Sequence, residues 1–304
     1  MEEAMNLCNN ISGTLLSVLT LGIYKPHSVF HGDPFIKVTP RNIGVVYENF
    51  DCFFPSDAGI HVINGWYIPP VSPQADTTLH KTILVCSDIR GNMSHNLDLL
   101  KFLTMTFPER AIVIFDYVGF GLSSCDTASF EMCLKSAVRA LEYTLERTSA
   151  DKLIIWGYRH GATVASYLVT RLINPIERLV LDTPLMRYSD DIRDHLGSHV
   201  HDPVSLIRGT LRTTDNLMDL EHYLEGFISH TDSEYLQEQT QNLTVVKCLA
   251  LVPASHTKQQ ASLVKYSHFV YLVPLTSTER TSLFMDQHRI LENIVVNDQR
   301  LITF

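Results

Sequence analysis

Residues 157–161 have the spacing of a motif that holds a catalytic nucleophile. The segment reads Gly157-Tyr158-Arg159-His160-Gly161; it follows the apolar run 153–156 and precedes a stretch, 162–173, with apolar residues at helical spacing. A strand, a tight G-x-S-x-G turn and a helix in this order hold a serine hydroxyl above a sheet. Here arginine occupies the serine position. A guanidinium has five donors, no acceptor and no removable proton at neutral pH, so it serves neither as base nor as nucleophile.

The elements around this turn alternate between strand and helix patterns. Continuous apolar runs predict buried strands at 82–86, 111–115, 153–156, 178–181, 245–253 and 269–273. Apolar residues at helical period predict helices at 97–103, 130–145, 162–173 and 288–296, the second capped by Ser129. Strands that alternate with helices imply right-handed crossovers and a mostly parallel sheet with helices on both faces.

Two further strands precede this alternation, and one segment interrupts it. Apolar and polar residues alternate in 43–50 and again in 60–63, and the turn residues 56–59 lie between the two segments. This pattern predicts antiparallel edge strands. Residues 187–240 are polar, helix-prone and without a buried-strand run, which predicts an inserted helical cap. We therefore expect an N-terminal extension at 1–42, an α/β core at 43–186 and 241–304, and the cap at 187–240.

The composition excludes some classes of function. The chain has 304 residues, 45% of them hydrophobic, with a net charge of −9 and no basic run, which argues against nucleic-acid binding. Its six cysteines include no C-x-x-C pair, which favours a reduced cytoplasmic protein without a zinc site. His195 and His199 have a spacing that can bind metal on a helix, but Gly197 weakens that helix, so the prediction is no metal and no cofactor.

The stretch 11–24 is apolar but shorter than the ~20 residues that a membrane span needs. Glu2 and Glu3 before it are wrong for a secretory signal peptide. We predict a helix packed on the domain. The alternative is peripheral membrane contact through 11–24, helped by acylation of Cys8.

The order of these elements over roughly residues 45–298 resembles the α/β-hydrolase superfamily. It looks most like the small intracellular, often membrane-associated serine hydrolases of the depalmitoylase-like branch. Four segments carry the resemblance: 57–59 with 65–70, 91–95, 116–123, and the turn at 157–161. The resemblance implies the α/β-hydrolase fold, with a mostly parallel central sheet, helices on both faces and an inserted helical cap.

The catalytic positions that the resemblance implies all depart from the family pattern. Arg159 stands at the nucleophile, and Asp88 opens the loop that usually reads His-Gly-Asn and helps to form the oxyanion hole. The positions after the next-to-last strand, where the catalytic acid is expected, hold Ser255 and His256. Glu279 or Arg280 stands where the catalytic histidine is expected. These losses together predict a pseudoenzyme.

A pseudoenzyme of this fold is expected to act as a structural or protein-interaction module, with a protein partner or self-association. The alternative is an esterase, thioesterase or peptidase-like hydrolase that uses Ser123, Ser124, His160 or His256. Because a cation at a helix N-terminus opposes the macrodipole, Arg159 should have an anionic partner, either Asp88 or Glu279. The rival hypothesis is an anionic ligand bound by Arg159 and the helix amides.

Overall fold

A sheet of eight strands forms the centre of the molecule in the computed structural model. The structure describes residues 31–32, 34–56, 59–72, 80–124, 128–172, 174–185, 248–264, 270–276 and 281–290. The strands are β1 (Glu48–Ser56), β2 (Gly59–Ile68), β3 (Thr82–Cys86), β4 (Ala111–Phe115), β5 (Leu153–Tyr158), β6 (Arg178–Asp182), β7 (Cys248–Pro253) and β8 (Val270–Leu275). Their order across the sheet is β8-β7-β6-β5-β3-β4-β2-β1.

Five neighbouring pairs in this sheet are parallel, from β4–β3 through β8–β7. The hairpin β1–β2 is antiparallel, and β2 joins the rest by antiparallel pairing of Gly65–Ile68 with β4. Because β3, β4 and β5 run in one direction, their carboxyl ends share one edge of the sheet. β2 begins beyond that edge, so the tip of the hairpin projects past it.

The described helices are α1 (Leu97–Thr106), α2 (Phe130–Leu145), α3 (His160–Thr170), α4 (Thr257–Val264) and α5 (Thr281–Met285). These helices pack in two separate hydrophobic cores. One core joins α2 and α3 to alternate sheet residues such as Leu84 and Ile155, and the other joins α1 and α5 to Ile83 and Trp156. The predicted α/β class, with a mostly parallel sheet and helices on both faces, is confirmed.

The predicted start of the first strand at residue 43 is wrong, whereas its antiparallel pairing at the edge of the sheet is confirmed. Residues 40–43 form a 3-10 helix that Thr39 and Asn42 cap reciprocally, and Gly44 ends it with a φ of 76°. β1 therefore begins at Glu48 and continues through Pro55, which an edge strand tolerates because one side of its backbone has no ladder partner to satisfy.

The other predicted strands lie where the structure has them, within a few residues, and Ser129 caps α2 by accepting from the Met132 amide. The helix α4 was not expected from the sequence. The predicted cap at 187–240, the N-terminal stretch 11–24, and most of the predicted closing helix 288–296 lie outside the described residues. None of the helices that the structure describes is long and apolar enough to cross a membrane.

Candidate functional site

The turn between β5 and α3 has the strained backbone of a nucleophile elbow. Arg159 has φ 53° and ψ −114°, a conformation that side-chain-bearing residues rarely adopt and that costs ~1–3 kcal/mol. Its amide donates to the Asp182 carbonyl at 3.0 Å, and its carbonyl accepts from the Ala162 amide at 3.1 Å. These main-chain bonds tie the turn to β6 and to the first turn of α3.

The two glycines allow the close approach of strand and helix at this turn. A Cβ on Gly157 would lie 2.5 Å from the Ala162 Cα, and a Cβ on Gly161 would lie 2.6 Å from the Ser87 carbonyl oxygen. Both distances are below van der Waals contact with main-chain atoms. Backbone geometry therefore explains both glycines without any catalytic role.

The Arg159 side chain forms an ion pair with Asp88, which follows β3 closely. The Arg159 Nε lies 3.2 Å from Asp88 Oδ2, and the side chains are 23% and 12% exposed. The second oxygen, Oδ1, lies 2.7 Å from Nδ1 of the buried His160 and also accepts from the Ile89 amide at 2.9 Å. The predicted pairing with Asp88 is confirmed, whereas Glu279, the other predicted partner, lies outside the described residues.

The Asp88 carboxylate is stabilised in its charged form. Burial raises its pKa, but the hydrogen bond to His160 and the positive charges of Arg159 and Arg90 outweigh burial and hold the pKa below its ordinary value. A negative charge is therefore fixed beside the elbow, within 3.2 Å of the Arg159 guanidinium.

The remaining predicted positions lie at the same edge of the sheet or outside the described residues. Ser255 is exposed and His256 is half-buried, both between β7 and α4. The His256 amide donates to the Pro253 carbonyl, and its carbonyl accepts from the Gln260 amide, so its backbone begins α4. Glu279 and Arg280 lie outside the described residues.

The two serines considered as alternative nucleophiles hold a loop against β2. Ser123 Oγ donates to the Asp116 carbonyl at 2.7 Å and accepts from the Asn64 amide at 3.0 Å. Ser124 Oγ accepts from the Val62 amide at 2.7 Å. The Ser123 proton thus points to a main-chain carbonyl rather than to a base.

Asp116, at the end of β4, is a buried carboxyl that the sequence did not single out as a site residue. Its Oδ1 accepts from the Met93 amide at 2.6 Å, and its Oδ2 has no hydrogen-bond partner among the described residues. Burial raises its pKa to about 7, partly opposed by the Met93 hydrogen bond. The sequence offered one signal for this residue: it directly follows an apolar strand and shortly precedes Gly119 and Gly121. Both glycines have a positive φ in the structure.

No group of three or more metal-ligating side chains occurs in the part of the chain that the structure describes. The candidate pair His195 and His199 lies outside that part.

Comparison with known proteins supports the fold, but the relatives that match by sequence align with only a third of the chain. The family model for the alpha/beta hydrolase fold matches residues 95–224. Lysophosphatidylserine lipase ABHD12 of Gallus gallus is 30% identical over 104 residues, which cover 33% of this chain and only 26% of that protein. The same protein of Mus musculus is 29% identical over 104 residues.

Solved structures match over most of the chain. The esterase Pf2001 of Pyrococcus furiosus superposes with a TM-score of 0.57 at 13% identity, covering 88% of this chain and 97% of the esterase. Carboxyl esterase 2 of Tuber melanosporum gives 0.52 at 12% identity, covering 82% of this chain and 87% of that one. At these identities the likeness concerns the fold alone. With this strand order and these neighbours, the chain has the α/β-hydrolase fold that its sequence predicted.

Proposed function

We propose that this chain is a non-catalytic member of its fold, a pseudoenzyme that acts as a structural or protein-interaction module. The observation that carries the proposal is the ion pair at the elbow. The residue in the nucleophile conformation is Arg159, and its guanidinium lies 3.2 Å from the Asp88 carboxylate. Acyl transfer at this elbow needs an oxygen or sulfur nucleophile, and a guanidinium supplies neither.

The same ion pair opposes oxyanion stabilisation. A single donor to the oxyanion contributes ~3–4 kcal/mol to the transition state of a working hydrolase. In this chain the carboxylate of Asp88 lies beside the elbow, paired with Arg159 and His160. A developing oxyanion there would meet a fixed negative charge, so the pocket favours the structural ion pair over the reaction.

Loss of catalysis leaves the fold available for binding. We infer a protein partner or self-association as the function, in a cytoplasmic setting, with no nucleic acid, metal or cofactor involved. The net charge of −9 favours partners with a basic surface.

Turnover assays on the purified full chain test the proposal. With short-chain p-nitrophenyl esters and with lysophosphatidylserine, we expect rates equal to those of buffer. The Arg159→Ser variant is the matched control because it restores a hydroxyl at the elbow; it should stay inactive, since Asp88 still lies beside it. Wild-type turnover above buffer would contradict the pseudoenzyme.

A hydrolase with a non-standard constellation is the second candidate. It is favoured by the retained strain at Arg159 and by the similarity to a lysophosphatidylserine lipase over a third of the chain. This candidate requires wild-type turnover that disappears when Ser124 or His256 is replaced by alanine. A wild-type rate equal to that of buffer rejects it.

A further inference from the structure

Four exposed apolar side chains follow one another along the carboxyl edge of the sheet. They are Phe35 at 69%, Phe53 at 57%, Ile60 at 74% and Leu122 at 63% exposed, and we name them the apolar rim. Large apolar side chains grouped on a surface mark a place where something docks.

Hydrogen bonds and close contacts hold together the segments that carry the residues of the rim. The Asn92 Nδ2 donates to the Phe35 carbonyl at 3.0 Å, and the Asn92 side chain lies against Gly121, which precedes Leu122. The Ser124 amide donates to the Val62 carbonyl at 2.9 Å, which brings the Leu122 loop to the hairpin.

The hairpin completes the rim. Phe53 pairs with Val62, and Pro55 pairs with Ile60, across β1 and β2. The rim therefore extends from the loop after β3 across β4 and β2 to β1. Three strand spacings of ~4.8 Å make this distance about 14 Å.

The N-terminal chain enters the described structure at one end of this rim. His31–Gly32 pairs in parallel with Arg90–Gly91, directly after β3, and Phe35 follows three residues later. Six residues, 25–30, separate the stretch 11–24 from His31, and such a linker spans up to ~20 Å when extended. The apolar stretch is thus attached close to the rim.

The sequence of 11–24 fits the dimensions and the character of the rim. Ile11, Leu15, Leu19 and Ile23 recur every four residues, and Pro26 follows where such a helix must end. Fourteen helical residues are about 21 Å long, enough to cover a rim of about 14 Å. One apolar face of this length matches one row of exposed apolar side chains.

The distribution of charge favours the stretch 11–24, rather than a lipid surface, as the partner of the apolar rim. Residues 1–24 contain no lysine or arginine, whereas interfacial helices depend on basic residues along their polar face. The exposed Asp51 on β1, two residues before Phe53, would also repel anionic headgroups. We propose that residues 11–24 of the same chain dock as a helix on the apolar rim.

Photo-crosslinking in the full chain tests this docking. With p-benzoylphenylalanine in place of Phe53, we expect an intramolecular cross-link to a peptide within 11–24. The control carries the same group in place of Val71, which is also 65% exposed but lies beyond the opposite end of β2. The control should give no cross-link to 11–24.

Two point variants sharpen the result. Leu19→Asp, on the apolar face, should lower the yield of the Phe53 cross-link about fivefold or more, because a charge would be buried against the rim. Thr20→Asp, on the polar face, should lower it less than about twofold. Equal effects of the two variants would overturn the helical docking.

The other occupants are outcomes of the same experiment. A cross-link between two chains would assign the rim to self-association, and a cross-link to lipid in phosphatidylcholine–phosphatidylserine vesicles would assign it to a membrane; either overturns the proposal. In the unmodified protein, backbone amides of 11–24 should exchange at least about tenfold more slowly than in an unstructured peptide. Unprotected amides would overturn the proposal independently of any variant.

Discussion

Replacement of Asp116 by asparagine should change how stability depends on pH. The Asp116 carboxyl is 2% exposed, accepts one hydrogen bond from the Met93 amide, and has no partner for Oδ2 among the described residues. Asparagine keeps the shape and the acceptor for Met93 but never ionises. The Asp116→Asn variant therefore isolates the cost of charging this buried group.

The magnitude follows from the shifted pKa. Burial raises the pKa of Asp116 from 3.8 to about 7, so the folded state favours the protonated carboxyl. Its contribution to stability is fully present below about pH 4 and is lost as the pH rises towards about 7. A difference of about 3 pKa units corresponds to about 4 kcal/mol, of which roughly 2–3 kcal/mol falls between pH 5 and pH 8.

Urea unfolding of the two proteins at several pH values measures this difference. We expect Asp116→Asn to gain roughly 2–3 kcal/mol relative to the wild type between pH 5 and pH 8. Asp98→Asn removes the same charge from an exposed position in the first turn of α1 and should change stability by less than about 1 kcal/mol. A stability difference between Asp116→Asn and the wild type that does not change with pH would refute the buried, protonated carboxyl.

Three further predictions concern the elbow and the core. Asp88→Asn should lower the free energy of unfolding at neutral pH by roughly 2–4 kcal/mol in urea titrations. Because the pKa of Asp88 is lowered by folding, the difference should shrink as acid protonates the wild-type carboxylate; a constant difference would contradict the ion pair. Gly161→Ala should lower the thermal midpoint far more than Gly44→Ala, since only the former meets main-chain atoms. Burial raises the pKa of the Cys86 and Cys133 thiols, so Ellman's reagent should modify them only after unfolding.

The buried strands were predictable because burial on both faces leaves continuous apolar runs. β3 and β4 lie at the residues that the sequence indicated, 82–86 and 111–115. The first strand was misplaced because residues 45–47 alternate like a strand, while the cap at Thr39 and the left-handed Gly44 commit the chain to a 3-10 helix before them. Local capping chemistry outweighed a short alternating pattern.

The site was predictable in part. The Arg159–Asp88 pair followed from the positions that the family resemblance assigns to both residues. That His160 shares the same carboxylate depends on the direction of a side chain after a strained residue, which no sequence period encodes. The burial of Asp116 depends on contacts with Met93 and Gly121 from other parts of the chain, so its raised pKa needed the tertiary structure.

Labelling with a fluorophosphonate tests the central proposal most directly, since the reagent modifies activated serines regardless of substrate. Intact-mass measurement of the full chain, beside an active esterase as the positive control, should show no adduct at any reagent concentration that saturates the control. The pseudoenzyme predicts this result because Arg159 occupies the elbow and Ser123 donates its proton to a main-chain carbonyl. A single stoichiometric adduct on any serine would contradict it.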